Sequence, residues 1–200
     1  EGIRLNGCGL SGDVDLQGLE YLRWLEIGNN LITGLNVGGL TLLENLQAHN
    51  NRLTALDLTD CALLTSLNLN DNPLVGLDVS NQDNLMDLSV SGCGIDSVTF
   101  AGRAFTAQSG EGGEADIRYI NLYDNTIELS AFAYYGYAFS GWTGLADGAD
   151  VYYTNIIATL PESGDFTATA AFVPTSDRTY SEGDIAAMAT FAASIGWTDE

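Results

Sequence analysis

Residues 43–53 read LENLQAHNNRL and residues 64–74 read LTSLNLNDNPL. Both segments fit the pattern L-x-x-L-x-L-x-x-N/C-x-L, which is typical of proteins built from short stacked coils. The first leucines, Leu43 and Leu64, lie 21 residues apart. Self-similarity at a fixed spacing therefore predicts a solenoid, in which each coil contacts its neighbours.

The same register continues on both sides of this pair. Further copies begin at Leu22 and Leu85, again at a spacing of 21 residues. A partial copy opens the chain, and its members are Ile3, Leu5, Cys8 and Leu10. A late copy follows an insertion near residues 101–114, and its members are Ile117, Ile120, Leu122, Asn125 and Ile127. The sequence thus predicts about six repeats over residues 1–130.

The spacing also predicts how the coils pack. One coil cannot bury its own apolar face, so successive coils stack with strands about 4.8 Å apart and share a core. Each repeat carries a second apolar pair, such as Leu35/Val37 or Leu56/Leu58, which indicates a second extended segment. The asparagine at position nine of the pattern lies at a turn, where a buried amide needs backbone partners from adjacent coils.

The three cysteines fit this register without forming a disulfide. Cys8 and Cys93 replace the asparagine at position nine in coils four apart, roughly 19 Å from each other. A disulfide needs Cα atoms within about 7 Å. We expect Cys8, Cys61 and Cys93 to be reduced and buried.

Residues 1–130 resemble the leucine-rich repeats of internalin-like bacterial surface proteins. The resemblance implies a leucine-rich repeat solenoid, a right-handed superhelix of the β/α type with short strands and compact turns. After the solenoid we expect a small, mainly-β domain over residues 131–174, where the 21-residue period of the leucines has ended. Residues 135–143, YGYAFSGWT, and residues 166–172, FTATAAF, resemble the small β-repeats that follow leucine-rich blocks in such proteins.

Aromatic residues mark this second module: Phe132, Tyr134, Tyr135, Tyr137, Phe139 and Trp142. We expect them to form the core of the module, and the alternative is a platform for sugars. Residues 175–200 are predicted to form a linker and a short C-terminal helix. The apolar residues of that helix would be Ile185, Met188, Ala192 and Ile195, which recur at helical spacing.

Charge narrows the range of partners. The chain has 27 acidic and 6 basic residues, a net charge of −21, and every basic residue is arginine. Binding to nucleic acid or to anionic membranes depends on clustered positive charge. We therefore expect neither partner, and no apolar run approaches the roughly 20 residues that cross a bilayer.

The sequence offers little for catalysis. Residues 7–12, GCGLSG, satisfy a nucleotide-binding pattern, but they fall on the turn of the repeat and no helix follows. His49 is the single histidine and cannot form a multi-histidine metal site, and there is no G-x-S-x-G motif for a serine nucleophile. We expect no catalytic residues, no metal and no cofactor.

The best candidates for binding a ligand flank the inward leucines of each short strand. Their side chains would line one shared concave sheet, where an exposed tryptophan and several amides suit a protein or a carbohydrate. The predicted contact residues are Arg4, Trp24, Glu26, Asn45, Gln47, His49, Asn68 and Asn70. For Trp24 the alternative is that it covers the end of the core near the first coil.

The family resemblance implies a bacterial adhesion function. We expect a secreted or cell-surface, non-enzymatic module that binds proteins or glycans through the concave face. Two alternatives stay open: a structural stalk without a ligand, and the non-catalytic part of a larger secreted enzyme.

Overall fold

The computed structural model describes residues 1–100, 102–146 and 152–175. These residues form fourteen β-strands. The strands are β1 (Gly2–Arg4), β2 (Ser11–Asp15), β3 (Trp24–Glu26), β4 (Leu31–Asn36), β5 (Asn45–Gln47), β6 (Ser66–Asn68), β7 (Asp87–Ser89), β8 (Ser97–Phe100), β9 (Arg103–Ser109), β10 (Gly113–Asn121), β11 (Thr126–Ala133), β12 (Tyr137–Thr143), β13 (Asn155–Thr159) and β14 (Phe166–Pro174). Within the described ranges there is no α-helix, and thus none of a length and hydropathy that would cross a membrane.

The first part of the chain is a β-solenoid of about four turns. Strands β1, β3, β5, β6 and β7 pair in parallel in that order. Their middle residues stack in register, with Leu25 opposite Leu46, Leu46 opposite Leu67 and Leu67 opposite Leu88. These leucines are 0–1 % exposed. The predicted stacking of coils, one per 21 residues, is confirmed, since each coil buries the apolar face of the next.

The second side of the solenoid differs from the predicted β/α type. There β2 and β4 pair in parallel, and a single bridge joins Asp78 to Thr99 in later coils; turns and irregular segments make up the rest. A β/α superhelix is therefore wrong for the described residues. A coil of this length already contains a strand, two turns and a second extended run, which leaves too little chain for a helix of about 11 residues.

A ladder of buried amides holds neighbouring coils together, as the sequence predicted. Asn51 Nδ2 donates to the carbonyl oxygens of Ile27 at 3.0 Å and Ala48 at 3.1 Å, and its Oδ1 accepts from Ile32 N at 3.1 Å. Asn30 and Asn72 repeat this arrangement one coil earlier and one coil later. Each amide thus satisfies backbone groups from two coils, which a buried turn requires.

The thiols are only partly as predicted. All three cysteines are free, and Cys61 and Cys93 are buried, but Cys8 is exposed. Cys93 Sγ lies 3.1 Å from the carbonyl oxygen of Leu69, 24 residues earlier. Cys8 Sγ instead lies 3.7 Å from the carbonyl oxygen of Asn6, within its own coil, and the residue is exposed. Burial, the largest cause, raises the pKa of the Cys61 thiol to about 11.

The sheet of the solenoid continues into the second part of the chain. Strand β10 pairs antiparallel with β7, and β11 and β13 extend the same sheet to eight strands. The prediction that the late copy, which begins at Ile117, forms another parallel coil is therefore wrong. Its apolar residues, among them Ile117 and Ile120, are buried, but the chain direction is reversed. The predicted domain boundary, residue 130, lies inside β11.

A second sheet covers this region, with the strand order β12-β14-β9-β8. Phe105, Trp142 and Phe166 are at most 4 % exposed and form its core. The prediction of an aromatic core is right for Trp142 but wrong for Phe132, Tyr134 and Tyr135, which are 69 %, 45 % and 80 % exposed. Those three lie at the end of β11 and in the following turn, beyond the space enclosed by the two sheets. The predicted C-terminal helix lies outside the described residues.

Candidate ligand-binding face

Every short strand of the solenoid turns its middle side chain inwards and its two flanking side chains outwards. Strands β3, β5, β6 and β7 share one burial pattern, in which the middle residue is buried and the outer two are half-buried. The outward side chains form a continuous surface, here named the ladder face, which is the face that the sequence predicted to be concave. Its rows run through Trp24 and Asn45, and through Glu26, Gln47 and Asn68.

A hollow of about 280 Å³ lies on the ladder face. It is lined by five of the predicted contact residues and one further residue, namely Trp24, Glu26, Asn45, Gln47, His49 and Asn6. The predicted contact residue Arg4 contacts Trp24 and Glu26, whereas Asn68 and Asn70 do not line the hollow. Asn6 was missed by the sequence analysis. Aligning the partial first coil with the second, as Ile3 pairs with Leu25, would have placed Asn6 in the row of Gly28 and His49.

Trp24 is held between two residues of β1. The Arg4 guanidinium carbon lies 4.3 Å from the Trp24 ring centroid, and Arg4 Nε is 3.4 Å from Glu26 Oε2. A Cβ atom at Gly2 would lie only 2.8 Å from the Trp24 ring. Gly2 therefore allows close packing of β1 on the indole, and the Arg4 cation covers part of its area.

Asn45 and Gln47 orient each other. Gln47 Nε2 donates to Asn45 Oδ1 at 3.0 Å. Among the described residues, Asn45 Nδ2 and Gln47 Oε1 have no hydrogen-bond partner, so the pair presents one donor and one acceptor in a fixed relation.

The His49 ring lines the hollow, but its unpaired nitrogen is buried. Its ring packs directly on Gly28, where a Cβ would lie 2.6 Å from His49 Cε1. Asn29 Oδ1 accepts from Asn50 Nδ2, which orients the Asn29 amide so that its Nδ2 donates to His49 Nε2 at 3.1 Å. In the neutral imidazole the proton then sits on Nδ1, and this atom is buried without a partner.

The ladder face continues past the solenoid, which the repeat pattern could not indicate. Tyr119 on β10 lies opposite Ser89, and its hydroxyl donates to Asp87 Oδ1 at 2.7 Å. Burial, followed by this hydrogen bond, raises the pKa of Tyr119 to about 12, so the phenol stays protonated. Arg118 Nε donates to Ser91 Oγ at 3.2 Å. The face therefore includes side chains from strands of both orientations.

The described part of the chain holds no group of three or more His, Cys, Asp or Glu side chains that is arranged to bind a metal ion. What the hollow offers is hydrogen bonding and contact area: two side-chain atoms without partners, one carboxylate and one indole.

Comparison with known proteins shows what the second module is similar to. Residues 104–176 match the family of the divergent InlB B-repeat domain, and the resemblance proposed for this module is thereby confirmed. No curated protein sequence matches the chain. The leucine-rich class of the first part stays a prediction, although the solenoid fold agrees with it. A B-repeat-like domain indicates a bacterial surface or adhesion-related module, since that family is associated with bacterial surface proteins.

Proposed function

We propose that this chain is a non-enzymatic bacterial adhesion module, secreted or held at the cell surface, that binds a neutral glycan in the hollow of the ladder face. Proteins and glycans are both candidate ligands for such a surface. One observation favours the glycan: the hollow gathers hydrogen-bonding atoms that the protein itself leaves unpaired.

The unpaired atoms match the chemistry of sugar hydroxyls. Asn45 Nδ2 is a donor and Gln47 Oε1 is an acceptor. A hydroxyl group both donates and accepts, so adjacent hydroxyls of one sugar ring satisfy both atoms. Each hydrogen bond that the sugar forms with these two atoms replaces one to water and contributes about 0.5–1.5 kcal/mol net.

Size and charge narrow the class of glycan. Pockets for drug-sized molecules range from about 300 to 1,000 Å³, so a hollow of about 280 Å³ suits a single sugar residue at the end of a chain. Glu26 lines the hollow, and its carboxylate already binds Arg4 and Asn6. With a net charge of −21 on the chain, sialylated and sulfated glycans are repelled.

An array of neutral, sialylated and sulfated glycans tests the proposal. We expect binding to neutral glycans that is lost in the double variant Asn45→Ala/Gln47→Ala. The matched control is Gln17→Ala/Asn81→Ala, which removes two exposed amides outside the hollow and should bind as the parent chain does. Preferential binding of acidic glycans, or binding that survives the first variant, contradicts the proposal.

A structural stalk is the second candidate function. It is favoured by the continuous eight-stranded sheet, which joins the solenoid to the B-repeat-like module through β7 and β10. A stalk predicts no glycan binding and unchanged behaviour of the Asn45→Ala/Gln47→Ala variant in every assay. The remaining alternative, a non-catalytic part of a larger enzyme, stays a prediction.

A further inference from the structure

A second hollow lies in the B-repeat-like module, far along the sheet from the ladder-face hollow. Its volume is about 340 Å³, and three tyrosines, Tyr134, Tyr135 and Tyr137, form much of its lining together with Gly136 and Thr175. We name it the tyrosine hollow. Its rings are not part of the module's core, because Tyr134 and Tyr135 are 45 % and 80 % exposed. Exposed aromatic side chains grouped around a hollow mark a binding site.

Backbone contacts hold this group of rings in place. The Tyr134 N–H donates to the carbonyl of Gly112 at 2.8 Å, and the Tyr137 N–H donates to that of Tyr134 at 3.0 Å. The Tyr137 ring packs on Gly112, where a Cβ would lie 2.1 Å from Tyr137 Cδ1. Gly112 also has a φ of 98°, a conformation that favours glycine. The turn is therefore preorganised, which lowers the entropic cost of binding.

Negative charge lies at the hydroxyl ends of two of these tyrosines. The Tyr134 hydroxyl donates to Glu114 Oε1 at 2.6 Å, and the Tyr137 hydroxyl donates to Glu111 Oε1 at 3.4 Å. Neither carboxylate forms an ion pair with any of the described residues. Asp116 adds to the same patch, and its pKa is raised by burial first and then by Glu114 and Asp96. The patch thus carries uncompensated negative charge.

Carboxylates at the hydroxyl ends of Tyr134 and Tyr137 strengthen the interaction of these rings with cations. A phenol that donates to a carboxylate keeps its proton, and the pKa of Tyr134 is accordingly raised by its hydrogen bond to Glu114. The neutral ring then presents a negative π face, and such faces attract cations. Aromatic rings combined with nearby carboxylates are suited to ammonium groups that carry alkyl substituents.

We propose that the tyrosine hollow binds an alkylammonium group, either a lysine side chain of a protein partner or a small quaternary ammonium. Charge complementarity argues for this ligand over a neutral one, because two unpaired carboxylates border the rings. Anionic ligands are repelled by the same groups. The site is separate from the ladder-face hollow, so this proposal does not depend on glycan binding there.

Titration of the whole chain with small probes, followed by NMR, tests the proposal. Choline represents the quaternary ammonium and N-acetyl-lysine methylamide represents the lysine side chain, while 3,3-dimethylbutanol is the neutral isostere of choline. We expect saturable shifts with at least one ammonium probe and binding of the isostere that is weaker by about tenfold or more. The stronger of the two ammonium probes identifies the source of the ligand. Equal binding of the isostere, or no binding of either ammonium probe, overturns the proposal.

Variants locate the binding. Tyr135→Ala should abolish the shifts, and Glu114→Gln should weaken binding several-fold while the rings stay in place. Tyr123→Ala is the matched control, since Tyr123 is 81 % exposed and does not line the tyrosine hollow. Circular dichroism of each variant establishes that it is folded. Binding that is unchanged in folded Tyr135→Ala, or equally reduced in Tyr123→Ala, contradicts the assignment of the site.

Discussion

The solenoid and the B-repeat-like module share one sheet, but the contacts that assemble them join residues at different separations along the sequence. In the solenoid, Leu46 pairs with Leu25 and Leu67, which lie one coil away on either side. In the module, β9 and β14 pair in parallel, so that Phe105 lies opposite Phe166, 61 residues further along the chain. Periodicity in a sequence reports contacts of the first kind, because they recur at a constant separation. Contacts of the second kind occur once and produce no period.

The two regions also differ in how they use polar side chains. The solenoid buries asparagines, which bond backbone groups of adjacent coils. The module buries mainly apolar and aromatic side chains, such as Phe105, Phe166 and Ala168, and the indole N–H of its buried Trp142 donates to the carbonyl oxygen of Tyr153 at 3.0 Å. Stability should therefore respond to polar substitutions in the first region and to cavity formation in both.

The largest effect is expected from core truncation. Phe105→Ala should lower the free energy of unfolding by about 3–5 kcal/mol and Leu67→Ala by about 2–5 kcal/mol, since both side chains are at most 1 % exposed. Urea unfolding followed by circular dichroism measures both. An unchanged midpoint for Leu67→Ala would contradict the register of the repeat, and an unchanged midpoint for Phe105→Ala would contradict the pairing of β9 with β14.

The next largest loss of stability is expected from substitutions of the buried asparagines that join neighbouring coils. Asn51→Ala removes a donor to three carbonyl oxygens and an acceptor for Ile32 N. Leaving these buried groups unpaired should cost about 2–4 kcal/mol. Asn81→Ala, at an exposed position, serves as the control in the same urea experiment. A loss as small as that of the control would show that water replaces the amide and that the ladder does not join the coils.

The smallest effects on stability are expected from a change of pH. Lowering the pH should remove a stabilising contribution of Asp57 in the solenoid and a destabilising contribution of Asp116 in the module. A hydrogen bond from the Thr59 hydroxyl, then one from its N–H, lowers the pKa of Asp57 in the solenoid. That stabilisation is present above the unfolded pKa and is lost as the pH falls through the lower, folded value. Burial, the largest cause, raises the pKa of Asp116 in the module. Ionised Asp116 therefore destabilises the fold at neutral pH, and protonation relieves this.

Two variants test whether Asp57 and Asp116 have opposite effects on stability. Asp57→Asn should lower the urea midpoint at neutral pH and have little effect at about pH 3, whereas Asp116→Asn should raise it at neutral pH. Asp83→Asn, at an exposed carboxylate, is the control. Shifts of the same sign in both variants would mean that total charge, and not the local surroundings of each carboxylate, governs the response to acid.

Several features were accessible from the sequence because each coil repeats its neighbour's environment. Leu67 and Asn72 are buried as their positions in the pattern predicted, and five predicted contact residues meet in one hollow. The predictions were wrong where a residue lacks that regular environment. Cys8 is exposed and its sulfur lies near a carbonyl oxygen of its own coil. Ile117 lies on a reversed strand, and Tyr135 lies in a turn outside the module's core.

The 21-residue spacing of leucines was enough to establish stacked coils, inward leucines and a polar ladder face, since a one-dimensional array is specified by nearest-neighbour contacts. The folded chain alone showed that β10 extends the solenoid sheet in the opposite direction. It alone placed an unpaired His49 Nδ1 beside the Asn45–Gln47 pair and grouped three tyrosines next to two glutamates. These arrangements depend on side-chain orientation and on pairing between distant segments, and neither leaves a period in the sequence.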